Sequence, residues 1–289
     1  PAEESEWERT TSSKEVLEYC KTVADNSGGR IILDDTTFKT EAGTPIPYMI
    51  ISDKAPKGPD EVDEDKGVVY VNCNIHSGEV EGKEAMMIFA REVAQGKHDD
   101  LLKDLVVVIV PNSNPDGNDD LGKNRIETQF TPKMVGTRTE GNGLNVNRDM
   151  TKLETACGRT IVQLMNDWNP ILFIDAHATD GSYMRHAVTY NWGLNAGTDP
   201  ELLEYNRDVF CSRALRKGSY LESKDKVAVP YGNWGYYYSG IVDEGWRTFE
   251  DYARYTTNYA GLRNRLALLL EVYSYDKFPV RVETQYECI

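Results

Sequence analysis

Four short apolar runs limit what this chain can fold into. Leu105–Val110 reads Leu-Val-Val-Val-Ile-Val without a polar break, and Val68–Cys73, Ile171–Ala176 and Leu266–Leu270 are nearly as apolar. A half-exposed strand alternates apolar with polar residues, whereas an unbroken run of this length fits a strand covered on both faces. Helical patterns lie between the runs. Met86, Phe89, Ala90 and Val93 recur at i, i+3, i+4 and i+7 in the stretch Glu79–Gln95, and Ile161, Leu164, Met165 and Trp168 share a face beginning in Glu154–Asp167. Ser12 or Ser13 is placed to cap a helix over Lys14–Asp25, and Pro200–Lys217 also reads as helical. Arg30–Leu33 and Pro47–Ser52 read as further strands. Strands and helices that alternate in this way pack as one layered α/β domain, expected here over residues 1–289. The acidic first eleven residues are expected to be loosely held.

Composition excludes some partners. Lys and Arg number 32 against 47 Asp and Glu, a net charge of −15, so the chain lacks the concentrated positive charge that nucleic acid or an anionic membrane requires. No apolar run approaches the ~18 residues of a membrane span. Five widely spaced cysteines contain no Cys-x-x-Cys, so neither a structural zinc motif nor a disulfide framework follows. No signal peptide is visible, and a start at Pro1 rather than Met leads to the expectation of a processed or trimmed chain. Secreted, periplasmic and cytoplasmic settings all stay open.

The apolar runs end in chemistry. Val68–Cys73 leads into His76-Ser77-Gly78-Glu79, Ile171–Ala176 ends at His177, and Leu266–Leu270 ends at Glu271. Strand ends of an open α/β sheet gather at one edge, where ligands bind. An imidazole and a carboxylate three residues apart on a strand-to-helix turn can converge on one point. With a second imidazole they form a ligand set for Zn²⁺ with an open position. Taken singly, each residue has an ordinary explanation. His76 and His177 can be solvated or hydrogen-bonded histidines, and Glu271 can pair with Arg265. Their joint placement at strand ends is what those explanations do not cover.

The same residues carry a resemblance. His76-Ser77-Gly78-Glu79, Asn114-Pro115-Asp116-Gly117, Gly136-Thr137-Arg138, Gly143-Leu144-Asn145-Val146-Asn147-Arg148, Asp175-Ala176-His177 and the strand ending in Glu271 occur in the order seen in the zinc metallocarboxypeptidases. The chain resembles that family, and Asn147–Glu154 is similar to one of its bacterial branches. The resemblance implies a three-layer α/β/α domain with a mixed, mostly parallel central sheet. It implies one Zn²⁺ held by His76, Glu79 and His177. Glu271 would be general base and acid, and Arg138 would stabilise the oxyanion. Asn147 and Arg148 would grip the free carboxylate of a peptide substrate, a task suited to a guanidinium with two parallel donors. A tyrosine shortly before Glu271 should also serve the site. Spacing alone does not choose among Tyr252, Tyr255 and Tyr259, and we favour Tyr255.

Two departures stand out. Relatives carry an Asp two residues before the Asn-Arg pair, backing the first zinc histidine, and here that position is Asn145. Relatives also often add a helix after the strand of the general base, and only 18 residues follow Glu271 here. The leading expectation is a zinc carboxypeptidase. A zinc deacylase of acylated amino acids shares the ligand set, and a non-catalytic peptide-binding module is a third possibility that retention of Glu271 disfavours.

Overall fold

The computed structural model describes residues 1–123, 129–179, 182–216, 218–234 and 245–289. Its centre is an eight-stranded sheet built from β1 (Ile31–Asp34), β2 (Tyr48–Ile51), β3 (Gly67–Cys73), β4 (Leu105–Val110), β5 (Leu172–Thr179), β6 (Val188–Asn191), β7 (Ala228–Pro230) and β8 (Leu266–Tyr273). The spatial order is β1-β2-β4-β3-β5-β8-β6-β7. The pairings β4–β3, β3–β5, β5–β8 and β6–β7 are parallel, and β1–β2, β2–β4 and β8–β6 are antiparallel. The four apolar runs are thus four neighbouring strands, and helices cover both faces.

On one face pack α1 (Ser13–Asp25), α2 (Glu81–Ala94) and α5 (Phe278–Cys288). Their core side chains, among them Val16, Met86, Val93 and Phe278, meet Val71, Ile109, Ile174, Leu268 and Leu270. On the other face α3 (Ala156–Trp168) and α4 (Thr256–Leu262) cover Tyr70, Val108, Phe173 and Ala267. Ser12 caps α1 through a reciprocal capping box with Glu15.

Strand alternation decides where the chemistry goes. In β5, Ile174, Ala176 and Ala178 enter the α2 face, so Asp175 and His177 project to the opposite face. In β8, Leu268, Leu270 and Val272 do the same, which turns Leu269 and Glu271 to the face of His177. Register completes the placement, because Glu271 pairs with His177 and Asn72 pairs with Asp175. Both β5 and β8 run past the expected ends, so His177 and Glu271 lie within strands rather than just beyond them. Backbone pairing therefore holds both residues.

One expectation needs amendment. The first eleven residues are tied down: the Thr10 hydroxyl donates to Glu84 at 2.9 Å, and the Thr11 backbone N–H and hydroxyl donate to the same carboxylate at 2.8 and 2.6 Å. Buried polar partners on α2, invisible in a strand-and-helix pattern, hold this segment. The helix after the strand of Glu271 is present as α5. The long polar stretch after Val110 contains a short helix at Pro115–Asp119 and a 3₁₀ turn at Val146–Arg148. The five cysteines are free thiols. Among the described residues no helix is long and apolar enough to cross a membrane.

Candidate metal centre and substrate cleft

The turn that follows β3 is set by backbone before any ligand enters. Asn74 has φ +62°, a left-handed conformation that Asn tolerates better than most residues. Its side-chain amide donates to Asn112 Oδ1 at 2.7 Å and Asn118 Oδ1 at 3.0 Å. Lys83, wholly buried, donates to Asn118 Oδ1 and to the Thr11 carbonyl. This polar network anchors the turn, and Glu79 N–H closes it on the His76 carbonyl at 2.8 Å. The helix that starts next must lie close against the sheet. A Cβ on Gly82 would sit 2.6 Å from Ala176 Cβ and 3.3 Å from Cys73 Cβ, so only glycine permits this approach. Gly136 plays a similar part in the segment carrying Arg138. Its N–H donates to the Ser77 carbonyl at 3.1 Å, and a Cβ there would lie 2.4 Å from the Gly117 carbonyl oxygen.

The result brings His76, Glu79 and His177 together, all buried, with ligand atoms within 4.8 Å of one another. His76 Nδ1 lies 3.0 Å from Glu79 Oε1, and His177 Nδ1 lies 2.6 Å from Glu79 Oε2. The outer nitrogens have oxygen partners: His76 Nε2 is 3.1 Å from Asn145 Oδ1, and His177 Nε2 is 2.9 Å from Asp175 Oδ2. Asn147 Nδ2, 3.4 Å from the same His177 nitrogen, is a donor and makes no bond once Nε2–H is given to Asp175. Burial, reinforced by the Arg138 charge, pulls His76 down to about 4. Burial acts in the same direction on His177, but Asp175 and Glu79 overcome it and raise its pKa. Burial opposes ionisation of Glu79, and the two imidazoles outweigh it and hold the carboxyl well below its usual range.

The other sequence candidates line the cleft beside this cluster. Arg138, Asn147, Arg148, Tyr255 and Glu271 all face it, together with Tyr231, Phe249, Thr257 and Leu269. An Arg138 guanidinium nitrogen lies 3.3 Å from Glu79 Oε1. The Arg148 guanidinium carbon stands 4.4 Å above the Tyr255 ring, close enough for a cation–π contact. Tyr255 is buried, and its hydroxyl donates to Glu250 Oε2 at 2.8 Å. Tyr252 is half exposed, and the Tyr259 hydroxyl accepts from Arg263, so of the three tyrosines Tyr255 is the one in the cleft. Arg265 donates to backbone carbonyls at 263 and 264 and to Asn169.

Sequence reasoning gave no role to Asp175 or Thr256. Asp175 had a signal: Asp-x-His on a strand puts both side chains on one face. Thr256 had none, because its place beside Asp175 depends on how α4 packs over β5.

The fold is found in known proteins. The family model for zinc carboxypeptidases matches residues 17–260. The chain belongs to that family. A metallo-carboxypeptidase from Burkholderia cenocepacia superposes with a TM-score of 0.68 at 16% identity, covering 96% of this chain and 67% of that one. The Pseudomonas aeruginosa metallo-carboxypeptidase solved with (2-guanidinoethylmercapto)succinic acid gives 0.62 at 17% identity, with 96% and 67% covered. Carboxypeptidase A from Helicoverpa armigera gives 0.61 at 15%, with 98% and 71% covered. The chain therefore spans about two thirds of the length of these relatives, and likeness at such identity speaks for the fold. A comparison with curated proteins finds no match.

Proposed function

We propose that this family member is a zinc-dependent carboxypeptidase that removes the C-terminal residue of peptides. One observation carries the reading. Both Nε2 atoms face outward to oxygen partners, and both Nδ1 atoms and the Glu79 carboxylate converge on one buried point. Without a cation the Glu79 carboxylate meets these nitrogens through a shared proton and also accepts from Arg138 and from the Ala178 N–H; ligation takes the place of that proton, as imidazole and carboxylate ligands require. A divalent cation that takes nitrogen and oxygen ligands satisfies all three groups, and two His with one Glu is an established ligand set for catalytic zinc, carboxypeptidase A included. Bound there, zinc supplies Lewis acidity towards a carbonyl and lowers the pKa of water.

The chain's own groups then divide the work. Glu271 stands on the strand beside His177 and lines the same cleft. It takes the proton of the attacking water and passes it to the leaving amine. Arg138 points its guanidinium into the cleft near Glu79 and stabilises the charge that develops on the carbonyl oxygen. Arg148, oriented by the Tyr255 ring, binds the terminal carboxylate. Asn147 lines the cleft and is held there by its Oδ1, which accepts the backbone N–H of Thr256 at 3.0 Å. Phe249, Leu269 and Tyr255 give the cleft apolar walls against which a substrate side chain can rest. A deacylase shares the metal ligands, and the arginine pair favours a substrate with a free carboxylate next to the bond that breaks. The test is release of single C-terminal amino acids from a peptide mixture, blocked by a chelator and restored by zinc. Internal cleavage only, or no chelator-sensitive release, would reject the reading.

A further inference from the structure

The orienting contacts behind the two histidines are unequal. His76 Nε2 meets a neutral amide, Asn145 Oδ1, which also accepts the backbone N–H of Asn147 at 3.0 Å. His177 Nε2 meets a carboxylate, Asp175, which has no exposed surface. The Asp175 ion-pair partner is His177, and among the described residues no lysine or arginine pairs with it. A buried carboxylate is costly without a cation, so its charge is directed at the imidazole. Three neutral or imidazole donors hold it: Asn72 Nδ2 donates to Oδ1 at 2.8 Å, and His177 and the Thr256 hydroxyl both donate to Oδ2. Thr256 is also the residue whose backbone N–H donates to Asn147 Oδ1. One residue at the start of α4 thus touches both the carboxylate behind His177 and the amide beside Arg148.

We propose that Asp175, held by Thr256, is the main positioning residue of the metal centre, whose anionic support thus lies behind its second histidine and not its first. This rests on the zinc reading above. A carboxylate that accepts the outer N–H of a ligating imidazole fixes its tautomer and ring orientation and strengthens it as a ligand, and loss of such a partner weakens metal binding ~10–100-fold. Thr256 extends the device towards the substrate side. Its hydroxyl fixes the Asp175 rotamer, and its N–H fixes Asn147.

Asp175→Asn removes the charge with little steric change. The new amide N–H₂ would face Asn72 Nδ2, but Asn72 Oδ1 has no partner, so the Asn72 amide can turn over and accept. The experiment is zinc affinity by chelator competition on the purified chain, with thermal unfolding in excess chelator as the fold control. Asp175→Asn should bind zinc ~10–100-fold more weakly with its chelated Tm near that of wild type. Asn145→Ala should lose less. Thr256→Val should weaken zinc, and Thr256→Ser, which keeps the hydroxyl, should restore it. Unchanged zinc affinity in Asp175→Asn, or a larger loss in Asn145→Ala, overturns the proposal. If Asp175→Asn does not fold, the Thr256→Val and Thr256→Ser pair decides, since equal zinc affinities there also overturn it. Absence of zinc binding by wild type would instead refute the zinc reading itself.

Discussion

Arg281 on α5 makes a stability prediction that also tests how the metal turn is braced. Its Nε donates to Glu81 Oε1 at 2.7 Å, and both side chains are wholly buried. Its other nitrogens donate to the carbonyls of Ser274 at 3.0 Å, Asp276 at 2.7 Å and Thr131 at 2.6 Å. Glu81 opens α2 two residues after Glu79 and also accepts from Gln129 Nε2 at 2.9 Å, so this pair joins α5, the 129–131 segment and the start of α2. Arg281→Ala strands a buried carboxylate and takes the donor from three carbonyls. Removing one partner of a buried ion pair destabilises by ~3–5 kcal/mol. For a chain of this size each kcal/mol shifts Tm by about 2–4 °C, so a fall of roughly 6–20 °C follows from the product. Urea and thermal unfolding should be run in excess chelator, because a bound metal adds its own stabilisation. The double variant Glu81→Gln/Arg281→Met removes the stranded charge and should recover part of the loss, the remainder being the cost of the three unmet carbonyls. A loss under ~1 kcal/mol in Arg281→Ala, at the level of an exposed pair, would refute the reasoning.

Other predictions concern catalysis and acid stability. Glu271→Gln should keep zinc and lose activity by ~10²–10⁴-fold, since an amide cannot accept the proton; hydrolysis near the wild-type rate would remove Glu271 from that role. Arg148→Ala should raise KM by roughly ten- to a hundredfold, at 1.4 kcal/mol per decade, with a smaller change in kcat. Arg138→Ala should act mainly on kcat, because an oxyanion contact strengthens in the transition state. Amidating the peptide should mimic Arg148→Ala in wild type and add little in the variant; equal cleavage of free and amidated peptides by wild type would argue for a deacylase or other amidohydrolase. Partial burial opposes ionisation of Glu92, yet Lys97, Tyr286 and His98 draw its pKa down to about 2. A depressed pKa stabilises above the unfolded value of ~4.3 and is lost as pH falls. Glu92→Gln should therefore be less stable than wild type at pH 7, with the difference closing as pH falls towards about 2; a gap that does not change with pH would contradict this.

Much of this architecture was legible because the signals were local. Continuous apolar runs gave β3, β4, β5 and β8, and i, i+3, i+4 spacing gave α2 and α3. The strand-end position of His76, His177 and Glu271 already implied convergence at one edge. Less could be read where placement depends on packing between distant elements. The short strands β6 and β7 carry no long apolar run; β6 pairs with β8, and β7 pairs with β6. The tie between Thr10, Thr11 and Glu84 joins residues more than seventy apart. Asn145 was visible as a departure, but the carboxylate answering it on Asp175 required the register of β5 and the seat of α4. Tyr255 could not be separated from Tyr252 and Tyr259 by spacing, since only packing turns one of them towards Arg148.

The central claim is that His76, Glu79 and His177 hold one zinc. It is tested most directly by metal analysis of the purified chain together with X-ray absorption at the zinc edge, for wild type and His177→Ala. The account predicts one zinc per wild-type chain, bound by two imidazole nitrogens and a carboxylate oxygen, and little or none retained by His177→Ala after dialysis. Wild type without stoichiometric zinc, or a zinc site unchanged in His177→Ala, would contradict it.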